Sequence, residues 1–416
     1  MKYAITMLLV CVGMFGAVAF SCGSAHAGPY TLEIVAQAGD IIDGRLITGF
    51  SSEVIRVGIS DDREVAFFAF AASAEGSGLS LMTQRRFIAG AGKVVDGRVP
   101  QFGNEPSLDI NGLGDVAYRA TIPNVARGVF VNQNLLVLAG DVIDGHAVTV
   151  ISDPLAINDA GTVLFAARPA PVKPSIYSQS ELVADSGLMV DGFTAEGFSQ
   201  PRINNAGDVA FLGHLQELLP GQSRAILSPG RVILKPGDSI EGLTVDVILG
   251  IGVMTDGGDV LVSISATGLD GENVVFLGTK DQILFRTGDI VAGIQVPLFS
   301  GAMLNNRGQF ALIGAVDAPG MNGFFPDKRS ILFVDDQIII SEGDLLDDKI
   351  IRALYTNFDM NDRGDLAFVV VFEDFSQAVV LATPNIPEPS SFVLAVMSVC
   401  ALLVRRQRRF RNSKGP

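Results

Sequence analysis

Nine residues, Ile203-Asn204-Asn205-Ala206-Gly207-Asp208-Val209-Ala210-Phe211, return along this chain with small changes, and such a repeat narrows the fold more than any bulk property does. Close copies run Ile157 to Phe165 and Met360 to Phe368, and others surround Asn111-x-x-Gly114 and Asn305-x-x-Gly308. Weaker copies begin at Ser60 and Thr255. The seven starts lie 51, 47, 46, 51, 50 and 56 residues apart. A second motif keeps step with the first: Ala38-Gly39-Asp40-Ile41-Ile42-Asp43-Gly44, then Ala139 to Gly145, with variants at Gly92, Gly187, Gly237, Gly288 and Gly343.

Each unit reads as four short strands. In the unit around Asn204 they are Phe198 to Asn204, Asp208 to His214, Arg224 to Ser228 and Arg231 to Lys235, rich in Val, Ile, Leu and Phe and parted by Gly, Pro, Asn or Asp. The steps Asn111 to Gly114, Asn158 to Gly161, Asn204 to Gly207, Asn305 to Gly308 and Asn361 to Gly364 read as tight hairpins. Asn bonds its side chain to nearby backbone and Gly supplies the positive φ that ends such a turn. The period of two in Val209-Ala210-Phe211 puts Val and Phe on one face and Ala on the other, which lets neighbouring sheets approach closely. No stretch between the ends keeps a helical period.

Four-strand units of this length are what a β-propeller is built from. Leu32 to Gln37 matches a fourth strand and Gln377 to Ala382 a third, so one unit is divided between the two ends, as a ring zipped shut by its termini requires. Six or eight blades, or two smaller β domains, would use similar units, but the count of starts and the phase of the ends favour seven. The expected fold is all-β: a seven-bladed propeller with terminal strand closure over 28–382, a linker at 383–386, and flanking segments 1–27 and 387–416.

Those flanks carry their own pattern. Lys2, an apolar run to Val18 and the small-x-small Ala25-His26-Ala27 make a signal peptide, with the mature chain starting near Gly28. At the far end Pro387-Glu388-Pro389 precedes the nearly uncharged Ser391 to Val404, then Arg405, Arg406, Arg408, Arg409 and Arg411. As a helix that run would span roughly 21 Å, short of the roughly 30 Å hydrocarbon core, so a permanent anchor needs snorkelling arginines and a thinned bilayer.

The order Pro-Glu-Pro, apolar run from Phe392, Arg405–Arg409 cluster resembles the PEP-CTERM sorting signal of exported bacterial proteins. The resemblance implies processing by a signal peptidase and an exosortase-type enzyme and delivery to the cell surface, outer envelope or extracellular matrix, with transient membrane contact through the C-terminal segment. A plain single-span tail anchor is the alternative. Residues 32 to 382 also resemble the NxxGxxAF tandem-repeat proteins, an exported family with varied C-terminal anchors. They depart from it at Ser60-Asp61-Asp62-Arg63, which lacks both Asn and Gly, and at Thr255-Asp256-Gly257-Gly258, which lacks Asn.

The three cysteines, Cys11, Cys22 and Cys400, all lie in the flanks, so removal of both ends would leave no thiol for a disulfide, a metal site or a nucleophile. Without residues 1–27 and 391–416 the chain holds 23 Lys plus Arg against 45 Asp plus Glu, a net charge of −22. Such a surface repels nucleic acid.

Alternating strands put the Asn-x-x-Gly turns on one rim and the longer loops and Gly-Asp crossings on the other. The crossings carry Asp40, Asp141, Asp238, Asp289 and Asp344, with Asp43, Asp144, Asp191 and Asp347 close by. These carboxylates are weak candidates for Ca²⁺, because Asp and Gly are also what any tight turn uses. No other cofactor is indicated. His146 and His214 fall in different phases of the repeat and make no triad. No phosphate loop, zinc spacing or dinucleotide fingerprint is present, and no catalytic residue is assigned. The function expected is therefore a non-enzymatic surface or matrix protein, the propeller serving as a platform for an exopolysaccharide or surface protein. The alternative is an extracellular polysaccharide hydrolase or lyase built on the same ring.

Overall fold

The computed structural model describes residues 29–50, 56–103, 106–168, 173–218, 223–268, 270–317 and 328–385. The signal peptide with Ala25 and Ala27, the Pro387-Glu388-Pro389 motif, the apolar run and Arg405 and Arg406 lie outside them. The chain divides into the unit Leu32–Pro384 and a second unit made of Met1–Thr31 and Asn385–Pro416. In the latter, Asn385 donates its backbone N–H to Pro29 O at 2.9 Å, and Thr31 Oγ1 donates to Asn385 Oδ1 at 2.6 Å.

Within Leu32–Pro384 every described element is a strand, and the strands form seven antiparallel blades. Blade 4, the unit around Asn204, runs Phe193–Ile203, Val209–Leu215, Arg224–Ser228 and Arg231–Leu234, close to the sequence reading. Its first strand starts earlier than expected because Phe193 continues from a small hairpin with Leu188–Val190. The inner strands of the seven blades are Val57–Ile59, Ser107–Ile110, Val150–Ile157, Phe193–Ile203, Leu243–Met254, Leu298–Leu304 and Lys349–Met360. Each touches the next, and the seventh touches the first, so the circuit is closed.

Closure is made by the chain ends, as the phase of the repeats predicts. Blade 7 consists of Lys349–Met360, Leu366–Phe372 and Gln377–Pro384, and its outermost strand is Tyr30–Gln37 from the other end of the sequence. The last strand reaches Pro384, two residues beyond the boundary expected from the repeat.

The core lies between blades. Val209 and Phe211 pack with Leu164, Ala166 and Ile176 of blade 3, whereas Ala210 and Leu212 pack with Val245, Ile248 and Ile264 of blade 5. Val209 and Phe211 thus face the preceding blade, and Ala210 and Leu212 face the following one. The same division places Val163 and Phe165 against blade 2 and Leu164 against blade 4.

The turns between the first and second strands have the form expected of Asn-x-x-Gly. Gly114, Gly161, Gly207, Gly308 and Gly364 all take φ between 76° and 88°. Each donates its N–H to the carbonyl of its own asparagine at 2.9 to 3.1 Å, the bond that closes a four-residue turn. Two of them need glycine for different reasons. At Gly161 a Cβ would meet nothing within 4 Å, so the φ of 76° alone asks for glycine. At Gly364 a Cβ would also meet Gln309 Oε1 of blade 6 at 2.7 Å, so close approach adds to the φ of 83°.

The second motif forms one short hairpin per blade. Ile143 and His146 pair across Asp144-Gly145, whose φ values of 47° and 80° are those of a type I′ turn. The inward residue, Ile143, is buried, and the Asp144 carboxylate accepts the N–H of Leu182, on the outer strand of blade 3, at 2.7 Å. Asp191 does the same for Val232 at 2.8 Å. These two carboxylates therefore clasp the hairpin that leads into a blade to that blade's own outer strand.

Candidate functional site

The Asn of each repeat works in two directions at once. Its Oδ1 accepts the N–H four residues on, as in Thr162 to Asn158 at 2.9 Å and Asp208 to Asn204 at 2.7 Å, which fixes its own turn. Its Nδ2 donates to the following blade: Asn111 to Asn158 O, Asn158 to Asn204 O, Asn204 to Thr255 O, Asn305 to Asn361 O and Asn361 to Ser60 O, all at 2.9 to 3.1 Å. These asparagines are buried, so the bonds form away from water. Where Asn is replaced, half of the job survives. Ser60 Oγ accepts Glu64 N–H at 3.0 Å and Thr255 Oγ1 accepts Asp259 N–H at 3.1 Å, but a hydroxyl cannot reach the next blade. Arg63 fills the Gly position of the first turn at φ 62°, and its Nε forms an ion pair at 3.0 Å with Asp365 of blade 7, which is fully buried.

The residues after the asparagines make a second circuit. Gly112 N–H donates to Asp159 Oδ1 at 2.8 Å, Asp159 to Asn205 at 2.9 Å, Asn205 to Asp256 at 2.8 Å and Asn306 to Asp362 at 2.9 Å. Asp362 N–H reaches Asp61 at 3.3 Å. A side chain at 112 would collide with this circuit, because a Cβ there would meet Asp61 Oδ2 at 2.9 Å and Asp159 Oδ1 at 3.1 Å. The turns thus rim an axial mouth carrying Asp61, Asp159, Asp256 and Asp362. Burial, together with the nearby Asp362 and Asp159 carboxylates, raises the Asp61 carboxyl above its ordinary range.

Below the mouth the channel widens to a cavity of about 320 Å³ lined by all seven inner strands. Apolar walls come from Leu155, Met254 and Met303 among others, and four charged residues enter it: Arg56, Asp109, Arg202 and Asp359. Asp109 Oδ2 accepts Ile157 N–H and Asp359 Oδ2 accepts Ile59 N–H, each at 2.9 Å and each from the following blade. Arg202 donates through Nε to Gly252 O and through Nη1 to Pro201 O at 2.8 Å. Burial raises the Asp109 carboxyl to about 6, with the Asp359 charge adding to the rise and Arg202 opposing it. Asp359 is raised by burial as well. Burial lowers the Arg202 guanidinium, Arg56 lowers it further, and Asp109 opposes both.

The sequence reading did not single out these four. A signal was present. Asp109, Arg202 and Asp359 stand two residues before Asn111, Asn204 and Asn361, where the other repeats carry Gly58, Ala156, Val253 and Met303.

The five Gly-Asp carboxylates sit on five different crossings, each closing its own turn. Asp40, Asp141, Asp238, Asp289 and Asp344 accept the N–H three residues back, from Gln37, Leu138, Lys235, Arg286 and Ser341, at 2.7 to 2.9 Å. Among the described residues no group of three or more His, Cys, Asp or Glu side chains is arranged to hold a metal ion. His146 lies in the hairpin before blade 3, and His214 Nδ1 is 3.0 Å from Ser223 Oγ in blade 4. Burial and the charges of Arg224 and Lys173 lower the His214 imidazole.

Residues 14–393 match the family model described as a family of unknown function, DUF7453. This chain belongs to the DUF7453 family. No curated protein matches the DUF7453 chain. Among solved structures it is similar to the polysaccharide lyase Uly1, with a TM-score of 0.42 and 8% identity, covering 85% of this chain and 99% of that one. It is also similar to BBS1N in its complex with ARL6DN, at TM-score 0.34 and 10% identity over 81% and 94% of the two chains. A third is a subtype N11 neuraminidase-like protein of A/flat-faced bat/Peru/033/2010 (H18N11), at TM-score 0.31 and 11% identity over 86% and 99%.

Proposed function

We propose that this DUF7453 protein is an exported surface or matrix protein whose propeller is a rigid binding platform, delivered by signal peptidase and exosortase-type processing of its two ends. The observation that carries the platform reading is the locked ring: terminal strands share one blade, asparagine bonds tie blade to blade, and carboxylate clasps fix the crossing hairpins. Such a frame holds its loops in fixed relation, which is what a recognition surface needs. The export reading rests on the Ala25-His26-Ala27 and Pro387-Glu388-Pro389 patterns.

Two measurements test it. Fractionation of the producing cells is expected to find the protein in the envelope or medium, starting near Gly28; a cytoplasmic chain keeping Met1 overturns export. A panel of extracellular polysaccharides is expected to show saturable binding without turnover by the purified protein. One observation favours the enzymatic alternative: two carboxyls with raised pKa, Asp109 and Asp359, share a cavity. Turnover abolished by Asp109→Asn would replace the platform reading with that of a hydrolase or lyase.

A further inference from the structure

We propose that the axial channel is a binding site for a hydroxylated carboxylate, a sugar acid, whose carboxylate is held by Arg56 and Arg202 and whose hydroxyls face Asp109 and Asp359. The proposal rests on the reading that the ring binds ligands.

Charge inside a recessed cavity is costly unless it is paired. Four blades manage this position with Gly58, Ala156, Val253 and Met303, so the ring does not need charge here to close. Yet four charged residues line the cavity, and among the described residues no ion pair joins any two of them. Each of Asp109, Asp359 and Arg202 is instead pinned by backbone groups of the inner strands. That pinning holds opposite charges apart and orients them. Arg56 is freer still: it is exposed, it lines the cavity, and among the described residues it makes no hydrogen bond or ion pair.

Two guanidiniums that line one cavity form an arrangement that an anion relieves, and a guanidinium fork fits a carboxylate. Asp109 and Asp359, on the blades either side of the one that carries Arg56, retain acceptor capacity, since each carboxylate oxygen takes two hydrogen bonds. Asp109, with a pKa near 6, can also donate when protonated. The remaining wall is apolar and suits the C–H face of a sugar ring. A cavity of about 320 Å³ holds a monosaccharide and not a polymer running through it. The ligand is therefore a free sugar acid or the acidic end residue of a glycan chain.

Calorimetric titration of the purified full-length protein with glucuronate, with glucose and with a glucuronate-ended trisaccharide tests this. Glucuronate or the trisaccharide is expected to bind saturably, about tenfold or more tighter than glucose, because the guanidiniums meet nothing in the neutral sugar. Arg56→Ala is expected to weaken that binding about tenfold with no change in melting temperature, since the side chain has no structural partner. Binding of the monosaccharide assigns a free sugar acid, and binding of the trisaccharide alone assigns a chain end. Equal affinity for glucose, full affinity in Arg56→Ala, or no saturation by either acid overturns the site. Polysaccharide binding without acid binding overturns the channel site and leaves the platform reading intact. Acid binding without polysaccharide binding keeps the channel site and overturns only the polysaccharide form of the platform reading.

Discussion

Asn158 shows what the repeat asks of one side chain: an acceptor for its own turn and a donor for the next blade, both out of contact with water. Asn158→Ala would strand Thr162 N–H and remove one of the two bonds that Asn204 O accepts, the other coming from Gly207 N–H, and a loss of about 2 kcal/mol in chemical denaturation is expected. The reverse change is available at Ser60, where the turn keeps its acceptor and lacks the donor. Ser60→Asn is expected to add about 1 kcal/mol by restoring a bond to Asn111 O, measured by the same denaturation curves. Asp109 gives a pH prediction. Its folded pKa of about 6 lies above the ordinary carboxyl value, so between roughly pH 4 and 6 the folded state holds more proton than the unfolded one. Its contribution to stability is full below that window and falls as pH rises through it. The drop in melting temperature across the window is expected to be smaller in Asp109→Asn, which keeps an acceptor for Ile157 N–H; an unchanged slope counts against the buried-acid description.

At the scale of the element, the second strand of each blade is a two-sided wedge. Phe211 looks back to blade 3 and Ala210 forward to blade 5, and neither is more than 2% exposed. Phe211→Ala empties part of one interface, with an expected cost of about 3 to 5 kcal/mol. Ala210→Leu overfills the other, with an expected cost of about 1 to 3 kcal/mol, although leucine suits a core by polarity. Urea unfolding of the two variants checks both, and a silent Ala210→Leu would mean that blades 4 and 5 pack more loosely than described. The sequence reading saw this alternation because strand faces follow a period of two. It missed the clasp made by the second motif, reading Asp144 and Asp191 as loop acids. Their partners, Leu182 and Val232, are about forty residues ahead and nothing local marks them.

For the whole molecule, the ring is as strong as the blade made from both ends. Removing the strand Leu32 to Gln37 would bare the edge of Gln377–Pro384 and uncover Val379 and Leu381. Calorimetry is expected to show a lower melting temperature, with aggregation that grows with concentration, as an unpaired edge invites. Strand content, blade count, the Asn-x-x-Gly turns and terminal closure were legible in the amino-acid sequence, because each follows from local periodicity, turn chemistry and the phase of a repeat. Gly161 and Gly364 mark where that legibility stops: both positive φ values could be read from the turn, but the approach of Gln309 to Gly364 comes from a neighbouring blade. Placement of charge was not legible either. Asp109, Arg202 and Asp359 are 93 and 157 residues apart by number, and Arg56 lies farther back still. Only closing the circuit turns their strands toward one axis, where burial and mutual charge give them properties that none has in its own repeat. The sequence by itself determined that this chain makes seven similar blades and how each turn is held. The tertiary structure alone decided which side chains meet at the centre, since a channel belongs to the ring and to no single blade.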